Sequence, residues 1–92
     1  MKLEETGLTF EDIKEKVNKY MIETYERMDF LAESAKDQYI YNEKGEKYLD
    51  FYAGIAVNSA GSCNEKVVKA VVDQAQTLMH TFNYPYTIPQ AL

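Results

Sequence analysis

Few residues in this chain could do chemistry. There is one histidine, His80, and one cysteine, Cys63, with carboxylates and lysines spread along the rest. His80 follows an apolar helical stretch, and a histidine there is more often a partner for the helix C-terminus or a packing residue than a catalytic base. Cys63 has no activating cluster beside it, which favours an inert thiol over a nucleophile. Glu46 and Asp50 share one face of a strand-like stretch and could pair as general acid and base. Solvated strand carboxylates are the commoner explanation of such a pair. One Cys and one His cannot close a zinc site, so no metal is expected. No Gly-rich phosphate loop opens a helix, and no Ser or Cys sits in a nucleophile elbow. The residues taken by themselves name no catalytic group.

The elements that would position any site centre on Lys47 to Gly61. This stretch opens as an amphipathic strand, with Leu49 and Phe51 on one face and Tyr48 and Asp50 on the other. It then becomes small and apolar at Ala53-Gly54-Ile55-Ala56-Val57. A strand rich in Ala and Gly marks a close approach of backbone to another element or to a ligand. Internal packing and a ligand wall both fit this composition.

Around it, the periodicities predict an α+β chain. Thr9 is an N-cap with Asp12 three residues on. Phe10, Ile13, Val17, Tyr20, Met21, Tyr25 and Met28 then recur at helical spacing, predicting an amphipathic helix over about 10–25. Met28 to Ala32 reads as a brief strand or connector, and Glu33 to Asp37 as a polar turn. Gln38 to Asn42 alternates and is aromatic-rich, as a strand would be. Glu43-Lys44-Gly45 suits a three-residue hairpin with Gly45 in the left-handed position. Continued through Ala53–Asn58 as a third strand, this gives an antiparallel meander over about 38–58. Asn64 is an N-cap for a second amphipathic helix over about 65–79, with Val67, Val68, Val71, Val72, Ala75, Leu78 and Met79 as its stripe. Residues 88–92, with Pro89 at the first helical position, look like a helix start without a body. Residues 1–92 therefore read as one segment, cut within a larger sequence.

Composition excludes several classes. The net charge is −5 at pH 7, and the lysines and the lone Arg27 are scattered among carboxylates, which argues against a nucleic-acid groove. No apolar run reaches the length of a membrane span. The acidic N-terminus lacks a signal-peptide core. A single cysteine allows no internal disulfide, so a reduced, cytoplasmic setting is expected.

Three stretches fall in a telling order: Tyr41 to Phe51, then Gly54-Ile55-Ala56-Val57-Asn58-Ser59-Ala60-Gly61, then Gln74 through Leu78-Met79-His80-Thr81 to Asn83 and Pro89-Gln90-Ala91-Leu92. The combination resembles the N-terminal portion of class III pyridoxal-phosphate aminotransferases, and the acetylornithine/ornithine branch fits best. The likeness covers about residues 20–92. It implies part of a fold-type I aminotransferase, a homodimer with active sites near the subunit interface. Such enzymes pass an amino group from an ω-amino donor such as N-acetylornithine to 2-oxoglutarate, in arginine biosynthesis. The resemblance implies that Gly54, Ile55, Ala56 and Val57 line the substrate side of the site, with Ile55 facing the substrate, and that Asn83 lies near the dimer interface. Departures from the family pattern are Ser62 and Glu65, where a His and a helix-starting Pro are usual, and Phe82, where a Ser is usual. The Schiff-base lysine, the cofactor-phosphate loop, the aspartate at the pyridine nitrogen and the substrate-carboxylate arginine belong to later segments of the family. By that resemblance the chain alone is expected to bind no pyridoxal phosphate and to transaminate nothing. A different class of reading is a stand-alone, non-catalytic interaction module of the same ancestry, pairing with itself or with a partner. Either way the apolar stripes predict a dimer or higher oligomer.

Overall fold

The computed structural model describes residues Met1–Leu92. The chain divides into two compact units, Met1–Ser62 and Cys63–Leu92.

The first unit begins with a short helix α1 (Leu3–Thr6), closed by Gly7 at φ 69. The amide of Leu3 donates to Glu33 Oε1 at 2.7 Å, which ties this helix to the sheet. Helix α2 spans Phe10–Tyr20. Its start is the capping box foreseen in the sequence: Asp12 N donates to Thr9 Oγ1 at 3.2 Å, and Thr9 N donates to Asp12 Oδ2 at 2.8 Å. The helix stops five residues short of the expected Tyr25. Met21 turns extended, at φ −108 and ψ 142. Ile22, Thr24 and Tyr25 follow, β-branched or aromatic residues that lose side-chain freedom in a helix. The apolar period therefore passes from helix into an extended connector. Met28, Phe30 and Leu31 of this connector line a groove of about 320 Å³ with Ile13 and Val17 of α2. Lys14 closes the arrangement by an ion pair to Asp29 at 2.9 Å.

The sheet has three strands, β1 (Ala32–Lys36), β2 (Tyr39–Asn42) and β3 (Lys47–Leu49), in that spatial order. Both pairings are antiparallel, with Lys36 opposite Tyr39 and Ile40 opposite Tyr48. The expected polar turn at Glu33–Asp37 is mostly strand β1. Pairing against aromatic β2 outweighs the weak strand preference of Glu, Ser, Ala and Lys, as it does at sheet edges. The turn itself is two residues, with Asp37 at φ 52, a position that Asp tolerates better than most residues. Between β2 and β3 the hairpin is as the sequence predicts, with Gly45 at φ 75. Asn42, only 7% exposed, organises it. Its Oδ1 accepts from the amides of Lys44 and Glu46, at 3.1 and 2.9 Å, and its Nδ2 donates to Glu46 Oε2 at 2.6 Å.

The expected third strand at Ala53–Asn58 does not form, so the sheet does not extend to residue 58. The third strand is β1, on the other side of β2. Ala53–Ala56 is a single helical turn, α3, of left-handed sense: Ala53, Gly54, Ile55 and Ala56 have φ of 48, 59, 56 and 64.

The second unit carries helix α4 (Glu65–Thr77). Asn64 Oδ1 accepts from Lys66 N at 3.1 Å and Val67 N at 3.4 Å, the cap that the sequence predicts. The helix ends at Thr77, short of Met79, because Leu78 is extended at φ −161. The expected helix start at 88–92 is one 3-10 turn, Ile88–Gln90.

No apolar residue of the chain is buried; the two buried residues are polar, Asn42 and Ser62. No helix is long and apolar enough to cross a membrane. The architecture is α+β, helices with a small antiparallel sheet.

Candidate functional site

The four small apolar positions singled out in the sequence lie together on and beside the left-handed turn. A left-handed residue other than glycine costs roughly 1–2 kcal/mol, because Cβ crowds the following carbonyl. Ala53, Ile55 and Ala56 carry that cost without a local gain, and β-branched Ile55 is the most crowded of them. Such strain persists only where the surroundings determine it, and it gathers at sites of function.

Both ends of the segment are held. At the front, Asp50 Oδ1 accepts from Tyr52 N and Ala53 N, each at 2.9 Å. Inside, Ile55 N donates to Tyr52 O and Asn58 N to Ala53 O, both at 2.9 Å. At the far end, Ser62 N donates to Asp37 O at 2.7 Å, and Asp37 N donates to Ser62 O at 2.8 Å. The outcome is an isoleucine with 75% of its surface exposed, beside an equally open Val57. Gly54 leaves the backbone bare next to it. This is an apolar fingertip with open backbone, suited to contact with the aliphatic part of another molecule and to no proton transfer.

The carboxylate pair considered for acid and base work is not a pair. Glu46 is held by Asn42 and by the Tyr48 hydroxyl, at 2.6 and 3.2 Å. These hydrogen bonds, Asn42's above all, keep it below the usual carboxylate range. Asp50 is engaged by the turn. Its capping role escaped the strand reading, although an Asp can hydrogen-bond the backbone two residues on in an Asx turn. Tyr48 is pushed up, first by desolvation and then by Glu46.

In the second unit, Asn83 and His80 line a shallow depression of about 240 Å³ with Gln74, Thr81, Thr87 and Gln90. No carboxylate lines it, so the imidazole lacks the orienting group of a base. Cys63 is exposed. No cluster of three or more His, Cys, Asp or Glu could hold a metal ion. The three departures have structural places. Ser62 is buried in its backbone exchange with Asp37. Glu65 stands in the first turn of α4, where a carboxylate suits the helix dipole. Phe82, at φ 61, packs edge-on against Tyr84 with centroids 5.0 Å apart.

Comparison with known proteins bears on this arrangement. Residues 20–91 match the family described as aminotransferase class-III. An acetylornithine aminotransferase of Methanocaldococcus jannaschii is 49% identical over 72 residues, 78% of this chain and 18% of that protein. One from Methanosarcina acetivorans is 39% identical over 82 residues, 89% of this chain and 21% of that protein. An ornithine aminotransferase structure from Toxoplasma gondii superposes with a TM-score of 0.82 at 26% identity, over 91% of this chain and 20% of that one. One from Plasmodium yoelii, at 23% identity and a TM-score of 0.84, shares the fold over 91% of this chain and 22% of that one. The chain thus spans about a fifth of the length of these relatives.

Class-III aminotransferases generally depend on pyridoxal phosphate, which such enzymes use as an electron sink. A covalent anchor needs a lysine that is neutral and desolvated. Lys14 is the one half-buried lysine, and hydrogen bonds to Glu11 and Asp29 hold its ammonium above the ordinary lysine value. The lysines of this chain therefore do not fit the covalent site of that cofactor. The match over most of its length nevertheless settles descent: the chain belongs to the class-III aminotransferases.

Proposed function

We propose that this chain is the N-terminal segment of an aminotransferase that moves an amino group from an ω-amino donor, of the acetylornithine or ornithine type, to 2-oxoglutarate. Pyridoxal phosphate is held by residues outside the chain, and the 92 residues alone are inactive. The observation that carries this reading is the left-handed turn, which presents Ile55 to solvent at a cost in backbone energy. In this reading Ile55 packs on the methylene chain of the donor, Gly54 lets the ligand approach the backbone, and Ala56 and Val57 complete the wall. Asn83 lies near the interface of a homodimer. The names of the relatives support the donor type; a place in arginine biosynthesis belongs to the same proposal. The single cysteine supports a reduced, cytoplasmic setting.

The test uses the polypeptide that carries this chain, supplied with the cofactor, N-acetylornithine or ornithine, and 2-oxoglutarate. Glutamate forms, and Ile55→Ala raises the donor KM by about tenfold, the effect of removing an apolar contact in a pocket. No glutamate from either donor overturns the reading. For the 92-residue chain by itself, borohydride labelling of one mapped lysine at micromolar cofactor would overturn its inactivity.

The absence of any buried apolar residue favours a second reading, a non-catalytic module that covers its faces by self-association. The DNA downstream discriminates: a frame that continues into a cofactor-phosphate loop supports the enzyme, and a stop codon supports the module.

A further inference from the structure

We propose that the open edge of β3 docks a second copy of this chain, the two strands running antiparallel with Leu49 opposite the partner's Leu49. The pairing involves the sheet alone, and the reading of Ile55 as substrate-facing has no part in it.

The phase of the β2–β3 ladder decides which backbone groups are free. Asn42 N donates to Glu46 O at 3.2 Å, and Asp50 N donates to Gln38 O at 2.8 Å. Glu46, Tyr48 and Asp50 thus turn their backbones toward β2. Lys47 and Leu49 turn theirs the other way, and so does Phe51 by the same alternation. No strand lies on that side, since β3 ends the sheet. The edge at β1 is different. It carries a register irregularity between Ala32 and Ser34, and its Glu33 accepts the amide of Leu3. A bulged or covered edge resists pairing, whereas a regular one invites it. β3 is regular: Tyr39–Leu49, Ile40–Tyr48 and Tyr41–Lys47 pair in continuous register. It contains neither proline nor glycine. Leu49 and Phe51 are 54% and 93% exposed.

Charge selects the register in which this edge fits its own copy. With Lys47 at the twofold axis, two lysines face each other. With Tyr48 at the axis, Glu46 faces the partner's Asp50, once on each side. Like charges directly opposite each other destabilise a ladder. With Leu49 at the axis no like charges meet. Lys47 then faces the partner's Phe51, Tyr48 faces the partner's Asp50, and Glu46 faces the partner's Tyr52. Leu49 exchanges both backbone bonds with its copy, and Lys47 does so with the partner's Phe51. The ladder stops at Tyr52, whose backbone is right-handed helical at φ −93 and ψ −32. One patch serves both copies, as a twofold contact requires, and the pairing has the form of strand addition.

The test follows amide exchange at Lys47, Leu49 and Phe51 by mass spectrometry, in the polypeptide that carries this chain, from about 10 μM to 1 mM. All three slow together as concentration rises, because the bonds that protect them come from another molecule. Phe51→Lys changes a side chain that is 93% exposed, so the fold is kept while a lysine is set opposite Lys47. It raises the midpoint concentration by about tenfold. Adding Lys47→Glu turns each facing pair into opposite charges and returns the midpoint to within about threefold of wild type. Such rescue is specific to this register, since positions 47 and 51 face each other only when Leu49 is central. Exchange that stays fast up to about 1 mM overturns the proposal. So does a midpoint that Phe51→Lys leaves unmoved or that Lys47→Glu fails to restore. Slow exchange that neither dilution nor Phe51→Lys changes overturns it too, and assigns the edge to another strand of the same polypeptide.

Discussion

Gly61 and Asp37 meet backbone to backbone. A Cβ placed on Gly61 would stand 3.1 Å from the Cα of Asp37 and 3.4 Å from its carbonyl carbon and oxygen. Gly61 also sits at φ 83, where other residues are strained. The contact docks the end of the left-handed segment onto the turn between β1 and β2, and the paired hydrogen bonds of Ser62 and Asp37 follow at once.

Gly61→Ala is therefore expected to destabilise the fold by about 2–4 kcal/mol, from the left-handed backbone and the overpacking together. Gly45→Ala is the control. It carries a similar φ of 75 but meets nothing within 4 Å, so its cost is the left-handed backbone alone, about 1–2 kcal/mol. Urea midpoints of the two variants measure the difference. Equal midpoints would sink the close approach.

Ile55→Gly separates stability from function. It removes the most crowded left-handed side chain from a position already 75% exposed. Strain relief of roughly 1–2 kcal/mol competes with a glycine entropy cost of roughly 0.5–1 kcal/mol. Stability holds or rises by up to about 1.5 kcal/mol, while the donor KM increases. A large loss of stability would mean that Ile55 is packed, not presented.

Two carboxylates and one lysine make pH-dependent contributions to the fold. Hydrogen bonds from the Thr9 hydroxyl and amide hold Asp12 below the usual carboxylate range, and Asn42, then Tyr48, do so for Glu46. Their contribution is present above the ordinary carboxylate value of about 4 and is lost as pH falls through their lower folded values. Lys14 is raised, so its contribution is full below about 10.4 and is lost as pH rises through its higher folded value. None of the three groups is buried, and the losses are gentle. In an acid titration followed by NMR, Asp12→Asn should flatten the response at the start of α2, and Glu46→Gln that of the hairpin. Unchanged acid profiles in both variants would contradict these assignments.

The valine face of α4 is bare, with Val67 and Val71 exposed by 53% and 61%. An apolar face of that kind drives association. Sedimentation at micromolar concentration should find the 92-residue chain as a dimer or larger. Val67→Glu combined with Val71→Glu should shift it toward monomer and, through the better helix propensity of Glu, leave α4 intact. A monodisperse wild-type monomer would refute the expectation.

Capping and turn chemistry were legible because a few residues decide them. Thr9 with Asp12, Asn64 and Gly45 each dictate a local geometry that no later contact revises. Strand β1 was not legible, since Glu33, Ser34 and Lys36 become a strand only by pairing with β2. The end of α2 was missed because the apolar spacing continues past Tyr20 while the backbone does not. The least legible feature was the left-handed turn. Ala-Gly-Ile-Ala carries no propensity for it, since of its four residues only Gly54 enters the left-handed region without strain. Ile55 was singled out through family likeness, and the physical reason for its exposure came only with the backbone.

The meander pairs only neighbours in sequence, Ala32 with Asn42 and Tyr39 with Leu49. Hairpins close in about 1–10 μs, whereas a ribosome adds roughly 5–20 residues per second. During synthesis the sheet is thus free to form long before the valines of α4 are joined to the chain. It would then be finished before those valines exist. Nascent chains stalled with residues 1–62 emerged should already protect the strand amides; protection that waits for α4 would give the order of assembly to the helix instead.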